Sequence, residues 1–229
     1  MVVKAVILDF GGTLASGRID WNEFHSAIHC MLKGLIYSVE LDGLKKAIKG
    51  SLEELERVRA RGEEMTLEEV YGSALTTVGV PPDRRTLEMI HDLFRGHYKQ
   101  SLFPCAEDVL RSVSEHYSIA LLSNTMSDQP RFVLERAGLA RYFKVILCSR
   151  DIGVRKPNPE IFRYVLGRLG VEPNEAVHVG DSVETDMKGA MNAGIMPVWI
   201  RNAESQPWTG YAISSICELP EFLASLENG

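Results

Sequence analysis

VVKAVILDFGG, residues 2–12, is the stretch that decides the fold. Its apolar run stops abruptly at Asp9, and Phe10-Gly11-Gly12 follows. A run this short with that punctuation reads as a buried strand closed by a tight turn. Similar runs recur downstream: SIALL (118–122), VILC (145–148), AVHV (176–179) and MPVWI (196–200). Helical patterns lie between them, near 105–115, 128–140, 158–169 and 184–194. Asn158-Pro159-Glu160 opens one of these with a capping side chain, Pro at the first helical position and an acid in the first turn. Short strands alternating with helices imply βαβ units, hence an α/β fold with a doubly wound, Rossmann-like parallel sheet. Such a sheet gathers its ligands at the carboxyl ends of its strands.

The segment between the first strand and the rest has another texture. Trp21, Phe24, Ile28, Met31 and Leu35 step at three- and four-residue intervals, so one face is apolar. A second helical stretch covers 44–61. Thr66-Leu67-Glu68-Glu69 reads as a capping box opening a third, which Gly79-Val80-Pro81-Pro82 stops. A fourth is expected over 83–100, with Leu87, Ile90 and Phe94 on one face. The chain thus divides into an α/β core, residues 1–15 and 102–229, and an inserted helical unit, residues 16–101.

With 229 residues the chain has ample length for a hydrophobic core. Lys+Arg number 25 against Asp+Glu 31, a formal charge of −6. This argues against a broad nucleic-acid-binding surface. No stretch approaches the ~18 apolar residues that span a bilayer, and the first apolar run lacks the form of a signal peptide. Cys30, Cys105, Cys148 and Cys217 make no CxxC pair. They are expected to be free thiols in a reducing compartment, and the protein to be cytoplasmic. The sequence does not set the oligomeric state.

Polar residues close the apolar runs where a doubly wound sheet places its site. Asp9 ends the first strand and Ser123-Asn124 the second. Lys156 lies in the loop after the third core strand, Asp181 follows AVHVG, and Asp186 comes about one turn later. Three carboxylates gathered at one edge repel one another unless a cation joins them, and Mg²⁺ is a hard cation suited to carboxylate and carbonyl oxygens. One carboxylate is then able to attack phosphorus, because the metal and Lys156 screen its repulsion from phosphate. Ser123 and nearby backbone N–H groups are placed to hold phosphate oxygens.

DFGGTL (9–14), LLSNT (121–125), GVRKPNPEIF (153–162) and HVGDSVETDMKGA (178–190) together resemble the four ordered motifs of the haloacid dehalogenase superfamily. The helical insertion resembles that superfamily's first type of cap. The resemblance implies Asp9 as nucleophile, Ser123 with Asn124 as phosphate-binding residues, and Lys156 as the bridge between nucleophile and phosphate. Mg²⁺ would be held by Asp9, the Gly11 carbonyl and Asp181, with Asp186 supporting the lysine or the metal shell. The implied activity is a phosphatase or phosphotransferase acting on a small phosphorylated metabolite through an aspartyl-phosphate.

Residue 11 departs from the pattern. Phosphatases of this superfamily usually carry a second aspartate there, which protonates the leaving group and later activates water. Losing such an acid/base costs on the order of 10²–10⁴ in rate. Substrates with good leaving groups, or a donor such as Asp20, Glu23 or His25 from the insertion, would offset the loss. A metal-independent 2-haloacid dehalogenase, whose halide needs no proton, and a non-catalytic phosphate-ligand binder are the alternative readings. His25 and His29, one helical turn apart, lack the glutamate of a zinc-binding HExxH and a third ligand. His178 reads as a packed strand residue.

Overall fold

A computed structural model describes residues 2–35, 37–201 and 208–227. In chain order its elements are β1 (Ala5–Leu8), β2 (Ala15–Arg18), α1 (Trp21–Gly34), α2 (Leu41–Arg59), α3 (Leu67–Thr77) and α4 (Arg84–His97). They continue with β3 (Lys99–Leu102), α5 (Ala106–Ser114), β4 (Ser118–Ser123), α6 (Gln129–Arg136), β5 (Phe143–Cys148) and α7 (Pro159–Leu169). The last are β6 (Ala176–Gly180), α8 (Lys188–Asn192), β7 (Met196–Ile200), β8 (Ala212–Ile213) and α9 (Leu219–Glu227). Two compact units result: Met1–Ser16 with Ser101–Gly229, and Gly17–Gln100.

The first unit is built on a six-stranded sheet ordered β5-β4-β1-β6-β7-β8, its described pairs all parallel. β1 is apolar throughout because both its faces are covered. Val6 and Leu8 pack with Val109 and Leu110 of α5 and Leu219 and Leu223 of α9. Ala5 and Ile7 pack with Ile161, Phe162 and Val165 of α7 and Ala190 of α8. The strand order reverses about β1: the chain builds outward through β4 and β5, then returns to lay β6 on β1's other side. The carboxyl ends of β4, β1 and β6 therefore lie side by side, the crevice where this class of sheet binds ligands.

The second unit is helical as expected. Thr66 forms the capping box: its hydroxyl accepts from Glu69 N at 3.1 Å while Glu69 accepts from Thr66 N at 2.7 Å. Its core gathers Phe24, Tyr71 and Phe94. The helix expected over 83–100 ends early. Tyr98 turns to extended backbone after α4, and Lys99–Leu102 becomes β3, paired with β2 in a two-stranded sheet. β1 likewise starts at Ala5 and not at Val2. Among the described residues no helix is long and apolar enough to cross a membrane.

The cysteine reading is corrected. Cys105, just before α5, and Cys217, just before α9, are joined by a disulfide across 112 residues, with Cα atoms 5.7 Å apart. Linear spacing gave no sign of this pair because the fold alone brings α9 back onto α5. Cys30 and Cys148 are free. A cross-link closing so long a loop restricts the unfolded chain strongly. The double variant Cys105→Ser/Cys217→Ser is expected to lose about 2–4 kcal/mol of unfolding free energy. Denaturant titration with far-UV circular dichroism measures this, and an unchanged midpoint would contradict it.

Candidate active site

The ends of β1, β4 and β6 bring together Asp9, Lys156, Asp181 and Asp186, with Ser123 closing β4. Lys156 is the hub. Its Nζ donates to Asp9 Oδ1 at 2.6 Å, to Asp186 Oδ1 at 2.6 Å and to the Leu122 carbonyl at 2.8 Å. The residue is 1% exposed, so these three acceptors stand in for its hydration shell.

Asn124 sets the backbone that carries this ammonium. Its Nδ2 donates to the Lys156 carbonyl at 2.9 Å, and its Oδ1 accepts from Lys156 N at 2.8 Å. Both ends of the amide are thus committed to residue 156. A second tie joins the loops after β4 and β5. Ser149 Oγ accepts from Thr125 N at 2.8 Å and donates to the Thr125 carbonyl at 3.1 Å.

The acids are positioned by close approach to glycine. Gly12 has φ +75°, and a Cβ there would overlap the Asp181 carboxylate. Glycine at 12 therefore serves both the left-handed turn after β1 and the packing of Asp181 against it. A Cβ on Gly180 would overlap Asp186 in the same way. The helix expected over 184–194 begins as a π turn, Val183–Met187, before α8. That wider turn lays Asp186 back over the end of β6, where its Oδ2 accepts from Ser182 N at 3.1 Å. Trp199 Nε1 donates to the Asp181 carbonyl at 3.0 Å.

His178 is fully buried and packs edge-on to Phe162, with ring centroids 5.1 Å apart. It is a packed strand residue as expected, but it also bonds Asp186 Oδ1 through Nε2 at 3.0 Å. The signal was a lone imidazole in an otherwise apolar strand, which needs a polar partner once buried.

Electrostatics separates the two acids that share the ammonium. Burial pushes the Asp9 carboxyl up. Lys156 offsets part of this while Asp186 and Asp181 reinforce it, leaving Asp9 at about 6. Burial acts on Asp186 likewise, but Lys156 and His178 overcome it and hold Asp186 well below the usual carboxylate range. Lys156 is raised: burial opposes its charge, and Asp186 and Asp9 outweigh burial. The geometry runs the same way: Asp186 takes donors from Lys156, His178 and Ser182 N, whereas Asp9 takes Lys156.

Ligand atoms of Asp9, Asp181 and Asp186 lie within 4.8 Å of one another. An all-oxygen set of this kind suits a hard divalent cation such as Mg²⁺. Gly11 precedes the turn, and a Cβ there meets nothing within 4 Å. Of the residues considered as substitute proton donors, His25 bonds the Tyr71 hydroxyl at 3.1 Å and Asp20 accepts from Glu23 N at 3.0 Å. Asp20 and Glu23 also line a cavity of about 560 Å³ in the helical unit, with Arg18, Trp21, His97 and Lys99. His29 bonds the Val39 carbonyl.

Fold and site together define a hydrolase of the α/β class with its chemistry at the strand ends. The chain belongs to the haloacid dehalogenase-like hydrolases, whose pattern matches residues 3–194. It is 38% identical over 134 residues to a phosphoserine phosphatase of Thermus thermophilus, covering 58% of this chain and 53% of that protein. It is 32% identical over 160 residues to human N-acylneuraminate-9-phosphatase, covering 66% and 64%. The matches therefore span between half and two-thirds of those two relatives. A glyceraldehyde 3-phosphate phosphatase of Methanopyrus kandleri is 28% identical over 211 residues, covering 90% of this chain and 87% of that protein. Among solved structures, a 2-haloacid dehalogenase of Pseudomonas syringae superposes with a TM-score of 0.69 at 24% identity, covering 98% of this chain and 100% of that one. At that identity the likeness speaks for the fold.

The state of Asp9 yields a test that needs no substrate. With Asp9 at about 6 in the metal-free protein, a cation binding beside it displaces the proton that Asp9 holds. Addition of Mg²⁺ is expected to release about half a proton per molecule at pH 6 and almost none at pH 8. Potentiometric titration reads this directly, and equal release at both pH values would assign the proton elsewhere.

Proposed function

We propose that this chain is a Mg²⁺-dependent phosphatase for a small phosphorylated metabolite, with Asp9 as nucleophile. The observation that carries the reading is the buried cluster at the strand ends: Lys156 Nζ lies 2.6 Å from both Asp9 Oδ1 and Asp186 Oδ1, and ligand atoms of Asp9, Asp181 and Asp186 lie within 4.8 Å of one another. Asp9, the Gly11 carbonyl and Asp181 would hold the ion. When bound, Mg²⁺ supplies positive charge that keeps Asp9 ionised and offsets the charge of the phosphate.

An Asp9 carboxylate oxygen attacks phosphorus as the bond to the leaving oxygen breaks, giving an aspartyl-phosphate and an alkoxide or phenoxide that takes its proton from water. Water then cleaves the acyl phosphate, restoring Asp9 and releasing phosphate. Lys156 draws negative charge from the transferring group while Asp186 fixes the ammonium from behind. Ser123 and the N–H groups after β4 take the phosphate oxygens. Asn124 serves this step by holding the backbone of residue 156. Residues 16–101 act as the cap that shapes substrate choice.

Gly11 limits the reaction at the proton. Without an acid two positions after Asp9, the leaving oxygen departs unassisted by the core, so activated aryl phosphates outrun alkyl phosphates. Turnover of an aryl phosphate with Mg²⁺ is expected to vanish in Asp9→Asn and under EDTA; activity indifferent to both would overturn the reading. Halide release from a 2-halo acid under EDTA would replace it with dehalogenation.

A second outcome follows at residue 11. A Cβ there has open space, so Gly11→Asp is expected to fold normally. It should raise turnover of alkyl phosphates by about 10²-fold, the lower range for a positioned acid/base. A folded variant that gains nothing would mean that proton transfer was not limiting.

A further inference from the structure

His178 carries more than strand packing requires. An apolar side chain would fill this fully buried position in β6 against Phe162 without a polar atom to satisfy. The imidazole instead leaves Nδ1 buried with no hydrogen-bond partner. That is an unfavourable arrangement unless the other nitrogen does something useful. The other nitrogen, Nε2, lies 3.0 Å from Asp186 Oδ1. A carboxylate oxygen only accepts, so Nε2 is the donor in this contact.

The same oxygen takes the Lys156 ammonium at 2.6 Å, and the other Asp186 oxygen takes Ser182 N at 3.1 Å. Donors thus reach Asp186 from three elements: the loop before α7, strand β6 and the turn after it. The Ser182 bond holds Oδ2 and leaves the direction of Oδ1 to its own donors. With His178 added, Oδ1 is fixed in the direction from which Lys156 approaches, and the ammonium is fixed between Asp186 and Asp9.

We propose that His178 is a positioning residue that sets the Lys156 ammonium against Asp9 by orienting the Asp186 carboxylate through its Nε2–H. The proposal rests on the phosphatase reading for its kinetic readout, but its geometric readout stands without it. His178 touches none of the reacting atoms. Its effect passes through Asp186 and Lys156 to the nucleophile, so it falls on kcat more than on KM.

The test uses His178→Leu and His178→Met, which remove the donor, and His178→Gln, whose side-chain amide presents an N–H near the position of Nε2. Each is made in the full chain, alone and with Asp186→Asn. In the donor-free variants kcat for an aryl phosphate is expected to fall about tenfold or more with KM nearly unchanged, and Gln is expected to recover most of the loss. In the Asp186→Asn background the His178 substitutions are expected to cost little further, because the carboxylate charge that fixes the Lys156 ammonium is gone. Equal loss in Leu and Gln, or full additivity with Asp186→Asn, would reduce His178 to packing. Crystal structures of the Met and Gln variants give the activity-independent reading. Met is expected to show the Asp186 carboxylate rotated and Lys156 displaced from Asp9, and Gln to restore both. Unmoved Asp186 and Lys156 in the Met variant would overturn the proposal, whereas a wild type without turnover would overturn only the phosphatase reading.

Discussion

A single ammonium buried among acids holds the site together. Lys156 is 1% exposed and rests on two carboxylates and a main-chain carbonyl. The acceptors come from the ends of β1 and β4 and from the π turn after β6, so one cation joins three strands that are distant in sequence. Removing one partner of such a buried set costs about 3–5 kcal/mol, because the charges left behind have no water to turn to. The geometry of the crevice and the stability of the sheet around it therefore rest on the same contacts. Asn124 extends the arrangement to the main chain, since the loop carrying Lys156 is bonded to the loop ending β4.

Charge counting shows what this arrangement invites. One lysine faces Asp9, Asp186 and the neighbouring Asp181, so acids outnumber the base. Burial eases the excess by raising Asp9, while Asp186 stays ionised through its bonds to Lys156 and His178. A site of this sign repels a phosphate until a cation is added. In the proposed reaction this local excess of acids is the reason a cation would take part in phosphate recognition.

The residues legible in the sequence were those whose meaning is local. Asp9, Ser123 and Asp181 each close an apolar run, and closing a run in a parallel sheet means standing at a strand's carboxyl end. Lys156 and Asp186 became legible through the spacing of their motifs. Missed features depended on distant partners or carried little apolar signal. ASGR and KQSL, the sequences of β2 and β3, have no alternation to betray them, and the second was absorbed into a helix pattern. The two-residue β8 is too short for any period. Nothing near Cys105 points to a residue 112 positions away. The bonds from the Asn124 amide to residue 156 join positions far apart in sequence, so no local pattern announces them. His178 was rightly placed in the core, but no local pattern says which carboxylate a buried imidazole will meet.

The open space beside Gly11 sets that residue apart from the glycines that make room for the acids. At Gly12 and Gly180 glycine is enforced by packing, because a side chain would run into Asp181 or Asp186. At residue 11 no neighbour objects. Packing against a Cβ therefore does not require glycine there, unlike at Gly12 and Gly180. The turn after β1 thus holds two adjacent glycines under different constraints, one fixed by its φ of +75° and its approach to Asp181, the other not. A side chain's first atom can be added at residue 11 without displacing the acids that its neighbour Gly12 must make room for.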